Sequence, residues 1–144
     1  MSVVNIAADV LLVEDNALDA DMVMRALARY DESKRIAWVH DGEEAMEFLR
    51  RSVLPRLILL DLKMPKMNGF DLLRELRSNE RGFAVPVVVL TSSTEERDIV
   101  ECYRLGANGF AVKPMDMLDL DDVVDHIVRY WLLVNHSPAS ETPL

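Results

Sequence analysis

Leu57-Ile58-Leu59-Leu60-Asp61-Leu62-Lys63-Met64-Pro65-Lys66-Met67-Asn68-Gly69 runs from an apolar stretch to a single acid and then to turn formers. Bounded by Pro55 and Arg56 on one side and by Pro65, Asn68 and Gly69 on the other, the apolar stretch predicts a short strand buried on both faces. Asp61 stands at its carboxyl end. Ligands of open α/β sheets bind at that edge, so an acid there is a candidate for chemistry, although Asp after a strand is also an ordinary turn former. The Asn68-Gly69 pair keeps the loop tight and returns it to a helix.

Outward from this strand, apolar runs alternate with amphipathic stretches. Val10 to Val13 is a first strand followed at once by Glu14, Asp15 and Asn16; from Leu18 the apolar positions Met22, Val23, Ala26, Leu27 and Tyr30 keep helical spacing. Arg35 to His40 predicts a second strand, and Asp41 with Glu44 a capped start for a second helix. Phe70 to Asn79 makes a third helix, and Val85 to Leu90 a fourth strand with Pro86 tolerated at its beginning. Ser93 with Glu96 is expected to cap a fourth helix that Gly106 ends. Gly109 to Val112 is a fifth strand closed by Lys113-Pro114, and a last helix begins near Met117. Alternation of this kind predicts a right-handed doubly wound α/β fold: a five-stranded parallel sheet with five helices in a single domain. The expected organisation is an N-terminal extension over 1–8, one domain over 9–134 and a disordered Pro/Ser/Thr-rich tail over 135–144.

At 144 residues the chain has room for one real core. A net charge of −9 argues against binding a nucleic-acid backbone and for protein partners or metal cations. The single Cys102 cannot form an intrachain disulfide and falls on an apolar helix side, where a buried small hydrophobe is expected. No stretch approaches the roughly 18 apolar residues of a membrane span, and no leader pattern opens the chain; a cytoplasmic location is expected.

The polar residues that do not fit a core all follow strands: Glu14 and Asp15, Asp61, Thr91, and Lys113. A parallel sheet gathers those ends on one edge. Two carboxylates about 4 Å apart repel by on the order of 4 kcal/mol at an effective dielectric near 20. A hard cation such as Mg²⁺ relieves that repulsion, and a lysine and a hydroxyl beside it suit an arriving phosphoryl group. Asp is an established nucleophile for covalent phosphate chemistry.

Val-Glu-Asp-Asn at 13–16, Leu-Asp-Leu-Lys-Met-Pro with Asn-Gly at 60–69, Leu-Thr-Ser at 90–92 and Val-Lys-Pro at 112–114 resemble, in order, the motifs of the receiver domain of two-component response regulators. The resemblance spans about Asp9 to Val134. Within that family the Asn-Ala-Leu-Asp-Ala helix start and the terminal Tyr-Trp-Leu look closest to stand-alone regulators paired with phytochrome histidine kinases. The resemblance implies a flavodoxin-like sheet of order 2-1-3-4-5 and a phosphoryl group passed to Asp61 from a kinase phosphohistidine. It further implies Mg²⁺ held by Asp15, Asp61 and the main-chain carbonyl of Lys63, with Glu14 acting through metal-bound water. Thr91 and Lys113 would bind phosphoryl oxygens, Phe110 would be the switch aromatic following Thr91, and the bond before Pro114 would be cis. With no effector domain following, the readout would be the surface of the fourth helix, fifth strand and fifth helix.

Each site residue has a plain alternative when taken singly: Glu14 and Asp15 as helix-start acids, Thr91 as a cap, Lys113 as a snorkelling surface lysine. Their grouping outweighs those readings. Tyr130, Trp131, Leu132, Leu133 and Val134 are apolar all round, more than one buried stripe requires, and predict a homodimer face between the fourth and fifth helices. The alternative is that this helix end folds back over its own domain. Among rival functions, a phosphatase of the haloacid dehalogenase type needs a second acid two residues after the nucleophile, where this chain has Lys63. A receiver-like docking module that is never phosphorylated would not require so complete a site. A flavodoxin would need a Ser/Thr/Gly-rich phosphate loop where Glu14 and Asp15 stand.

Overall fold

The computed structural model describes residues 8–30, 35–138 and 144. Five parallel strands, β1 (Val10–Val13), β2 (Ile36–Val39), β3 (Leu57–Leu60), β4 (Val87–Thr91) and β5 (Gly109–Val112), lie in the order β2-β1-β3-β4-β5, the flavodoxin-like arrangement. Five helices alternate with them: α1 (Ala17–Tyr30), α2 (Gly42–Arg51), α3 (Gly69–Ser78), α4 (Glu96–Arg104) and α5 (Met117–Arg129). The apolar runs of β1, β3 and β4 are buried throughout, as strands covered by helices on both faces must be. Edge strands β2 and β5 are only half-covered.

Two apolar layers sandwich the sheet. Leu11, Ile58, Leu60, Val87 and Val89 face α2, α3 and α4 through Leu49, Leu72, Leu76 and Cys102. Val10, Leu12, Leu59, Val88 and Leu90 face α1 and α5 through Val23, Leu27, Leu120, Val124 and Val128. Alternate residues of one strand thus enter opposite layers, which fixes the register, since a one-residue slip would exchange the two sets.

Asx side chains start four of the helices. Asn16 accepts from Asp19 N, Asp41 from Glu44 N, Asn68 from Asp71 N, and Asp116 from Leu118 N. α4 departs from the expected pattern. Its flanking residue is Glu95 and no side chain caps it. Ser93 lies buried in the preceding loop, where its hydroxyl donates to Asp98 Oδ2 at 2.6 Å and accepts from Glu95 N at 3.3 Å. β4 also begins two residues later than expected: Pro86 has no N–H for the ladder and contributes only its carbonyl, to Ile58 N.

The chain end differs from the regular helix expected. After α5 a single π turn, Tyr130–Val134, is closed by Asn135 N donating to the Tyr130 carbonyl. Leu132 turns into the core and is 3% exposed, while its carbonyl accepts from Arg56. Leu132 is therefore core rather than interface. Trp131 packs half-buried on the same layer, and Tyr130, Leu133 and Val134 stay exposed. Of the expected extension only Ala8 is described. Of the expected tail, 139–143 lie outside the described residues; Leu144 N donates to the Leu49 carbonyl. Among the described residues no helix is long and apolar enough to cross a membrane.

Candidate functional site

The carboxyl edge of the sheet brings Glu14, Asp15, Asp61, Thr91 and Lys113 together. Each arrives for a local reason. β1 ends at Val13, and Glu14 leaves the ladder with its N–H on the Val39 carbonyl and its own carbonyl on the indole N–H of Trp38 at 2.7 Å. Asp61 N donates to the Val13 carbonyl, while its Oδ1 accepts from Leu62 N at 2.8 Å. The loop behind Asp61 is closed by Gly69 N on the Leu62 carbonyl. A Cβ on Gly69 would lie 2.4 Å from the Asp61 carbonyl oxygen, so only glycine lets α3 start this close to the acid.

Lys113 is tethered through its backbone N–H to the Thr91 carbonyl at 2.7 Å, which aligns the ends of β4 and β5. Its ammonium group lies among three carboxylates: it donates to Glu14 Oε1 and, at 3.1 Å, to Asp19 Oδ2, and stands 3.7 Å from Asp61 Oδ2. The side chains of Lys113, Glu14 and Asp61 are 11%, 2% and 12% exposed. Burial pushes the Glu14 carboxyl up from 4.5 to about 7; the Lys113 hydrogen bond opposes this and the nearby Asp61 charge adds to it. Burial pulls Lys113 down, but the Glu14 hydrogen bond and the charges of Asp61 and Glu14 outweigh it, so its pKa lies above the ordinary range and it is cationic.

Glu14, Asp15 and Asp61 each offer a carboxylate oxygen, all within 4.8 Å of one another. An all-oxygen set of this charge fits a hard divalent cation and does not fit a soft one. Thr91 is buried, and its Oγ1 accepts from Ser93 N at 3.4 Å. Phe110, on β5 beside β4, packs half-buried against the α2–α4 layer. Lys63, two residues after Asp61, is exposed.

Two findings lie outside the sequence reading. The bond before Pro114 is trans, and no cis peptide bond occurs among the described residues, correcting the expectation drawn from resemblance. Trans is the intrinsic preference of an X-Pro bond by about 0.5–1 kcal/mol, and only tertiary context reverses it. Asp19 also joins the site. Its sequence signals were its place in the Asn-Ala-Leu-Asp-Ala helix start and in the first turn of a helix that begins at the same sheet edge, four residues after Asp15.

The comparisons with known proteins agree with this geometry. The family profile described as "Response regulator receiver domain" matches residues 10–125. The probable methanogenesis regulatory protein FilR2 of Methanothrix harundinacea is 43% identical over 136 residues, covering 90% of this chain and 87% of its own. Response regulator Rcp1 of Synechocystis is 36% identical over 137 residues, covering 91% and 93%. The solved structure of the phosphorylated cyanobacterial phytochrome response regulator RcpA superposes with a TM-score of 0.86 at 35% identity, covering 93% of this chain and all of that one. The Mn²⁺-bound form of Rcp1 gives 0.83 at 36% identity, covering 90% and 98%. With its motifs on one sheet edge and this match over most of its length, the chain belongs to the response regulator receiver domain family.

Proposed function

We propose that this chain is a phosphoacceptor regulator: Asp61 takes a phosphoryl group from the phosphohistidine of a histidine kinase. The observation that carries this reading is the placement of the Lys113 ammonium and the Thr91 hydroxyl on the same edge as an Asp61 that is only 12% exposed. In the transfer an Asp61 carboxylate oxygen bonds to phosphorus as the phosphorus–nitrogen bond to imidazole breaks, and the ring nitrogen keeps the electron pair. Asp61 Oδ1 is held by Leu62 N, which leaves Oδ2, the oxygen nearer Lys113, to attack. Lys113 and Thr91 then bind phosphoryl oxygens. Mg²⁺, held by Glu14 through water, Asp15, Asp61 and the main-chain carbonyl of Lys63, would supply neutralisation of the phosphoryl charge.

The new group carries about −1.5 to −2 charge and three acceptor oxygens. Thr91 moves toward it and gives up its bond from Ser93 N, the space it leaves admits Phe110, and the surface of α4, β5 and α5 is remodelled. Val100, Tyr103 and Val112 are exposed on α4 and β5, and Tyr130, Leu133 and Val134 on the π turn after α5; we assign these residues the homodimer contact and the output. The phosphorylated state of RcpA and the Mn²⁺ of Rcp1 support the chemistry. The phytochrome in RcpA's name supports a phytochrome-type kinase as the donor.

The test is intact mass after incubation with acetyl phosphate and Mg²⁺. One phosphoryl group is expected on the native protein, none without Mg²⁺ and none on Asp61→Asn. An unmodified native protein, or an equally modified variant, overturns the reading. Gel filtration of the beryllofluoride-loaded protein against Tyr130→Ala/Leu133→Ala checks the dimer face, with a monomer expected for the variant.

A further inference from the structure

We propose that Asp19 is a positioning residue that holds Lys113 back from Asp61 until a phosphoryl group competes for it. The inference rests on the phosphoacceptor reading above and concerns which partner the lysine keeps at rest.

The Lys113 ammonium has three N–H bonds to place. Glu14 takes one and Asp19 Oδ2 takes another at 3.1 Å, whereas Asp61 Oδ2, at 3.7 Å, lies beyond hydrogen-bond reach. At rest the cation is thus nearer to two other acids than to the acceptor. Those two acids are not free to follow it. Asn16 holds the Glu14 carboxylate directly and Asp19 by its backbone: its N–H donates to Glu14 Oε2 at 3.2 Å, and its side-chain oxygen accepts from Asp19 N at 3.0 Å. The clamp is therefore built by the turn that starts α1.

The two arms of the clamp differ in what they can release. The Glu14 side chain is 2% exposed, and without Lys113 it would be a buried charge with only the Asn16 N–H for a partner. The Asp19 side chain is 40% exposed and sits in the first helical turn, so water and the helix N-terminus solvate it once the lysine leaves. A phosphoryl group on Asp61 brings acceptor oxygens to the third side of the ammonium. Lys113 then exchanges Asp19 for a phosphoryl oxygen and keeps Glu14. Asp19 competes with the phosphoryl group for the same N–H, and its removal strengthens binding of that group.

The experiment uses the full chain with Mg²⁺ and beryllofluoride, a phosphoryl mimic, titrated by calorimetry, together with the ζ-nitrogen resonance of Lys113 recorded in EDTA. Asp19→Asn is expected to bind beryllofluoride roughly two- to fivefold more tightly, the range open to a half-exposed ion pair. It is also expected to shift the Lys113 resonance before any ligand is added, and Asp19→Glu to return both readouts toward the native values. Unchanged affinity in Asp19→Asn, with the native protein binding normally, overturns the inference and leaves the phosphoacceptor reading standing. Tighter binding with an unmoved Lys113 resonance overturns it in favour of direct repulsion between Asp19 and the anion. A native protein that neither binds beryllofluoride nor gains a phosphoryl group overturns the reading and the inference together.

Discussion

Among the described residues two cations are held inside the molecule, and they are held in opposite ways. Lys113, at the carboxyl edge of the sheet, is shared by three carboxylates with a fourth, Asp15, close by, so its surroundings carry more negative charge than it can balance. Arg77, at the end of α3, meets only neutral acceptors: its Nε donates to the Gly106 carbonyl, Nη1 to the carbonyls of Gly82, Phe83 and Val85, and Nη2 to Asn108 Oδ1. Gly106 takes part because its φ of +102° turns the chain at the end of α4, and a Cβ there would lie 2.8 Å from Arg77 Cγ. Every contact of Arg77 is a fixed backbone or amide dipole, so the clasp ties α3, the turn after it and the loop before β5 into one body. The lysine site is instead left in surplus of charge that a cation or a phosphoryl group can alter.

The comparison breaks most visibly at Arg77. Arg77→Met leaves several carbonyls without their donor and should lower stability by about 3 kcal/mol, read from urea unfolding, with no change in the response to Mg²⁺. A loss under about 1 kcal/mol would mean that water replaces the guanidinium easily and that the clasp is no joint.

Glu14 supplies the next effect. Its carboxyl is raised above its unfolded value of 4.5 to about 7, so its contribution to stability is fully present below 4.5 and is lost as pH rises through about 7. Between pH 5 and 8 in EDTA the melting temperature of the native protein should fall, by the equivalent of about 2 kcal/mol, and the fall should shrink in Glu14→Gln. Equal slopes in the two proteins would place the surplus charge elsewhere.

Asp61→Asn removes one of the repelling acids, and about 1 kcal/mol of added stability is expected without metal. The same variant should lose most of the stabilisation that Mg²⁺ gives the native protein, which thermal melts with and without EDTA measure. A variant less stable than the native protein in EDTA would show that the Lys113 ion pair outweighs the repulsion.

The smallest effect is at the surface, where Arg25 and Asp21 form an exposed pair at 3.0 Å along α1. Arg25→Ala should change stability by less than about 0.5 kcal/mol in urea unfolding, setting the baseline against which both buried cations are judged.

Most of the site was legible because each of its members is local. Glu14, Asp15, Asp61, Thr91 and Lys113 each follow an apolar run, and parallel strands place all such positions on one edge. Asp41 acts as the helix start its spacing to Glu44 predicts, and Asn68, read as a turn former, caps the helix that its loop returns to. Ser93 did not, because the serine that looks like a cap in one dimension is buried in the loop and engages Asp98. The apolar end of α5 looked like one exposed patch. The π turn divides it, sending Leu132 into the core and leaving Tyr130, Leu133 and Val134 outside.

By itself the sequence determined the alternating α/β architecture, the edge on which the site lies and the acids, hydroxyl and lysine that compose it. Periodicity and strand-end position are properties of short stretches, and chain geometry does the rest. Only the tertiary structure decided that Lys113 rests on Glu14 and Asp19 rather than on Asp61, that Trp38 holds the Glu14 carbonyl, and that Arg77 closes a cage of carbonyls. Each of these depends on distances of a few tenths of an ångström between atoms far apart along the chain, where hydrogen-bond energy changes steeply and residue pattern carries no record of it.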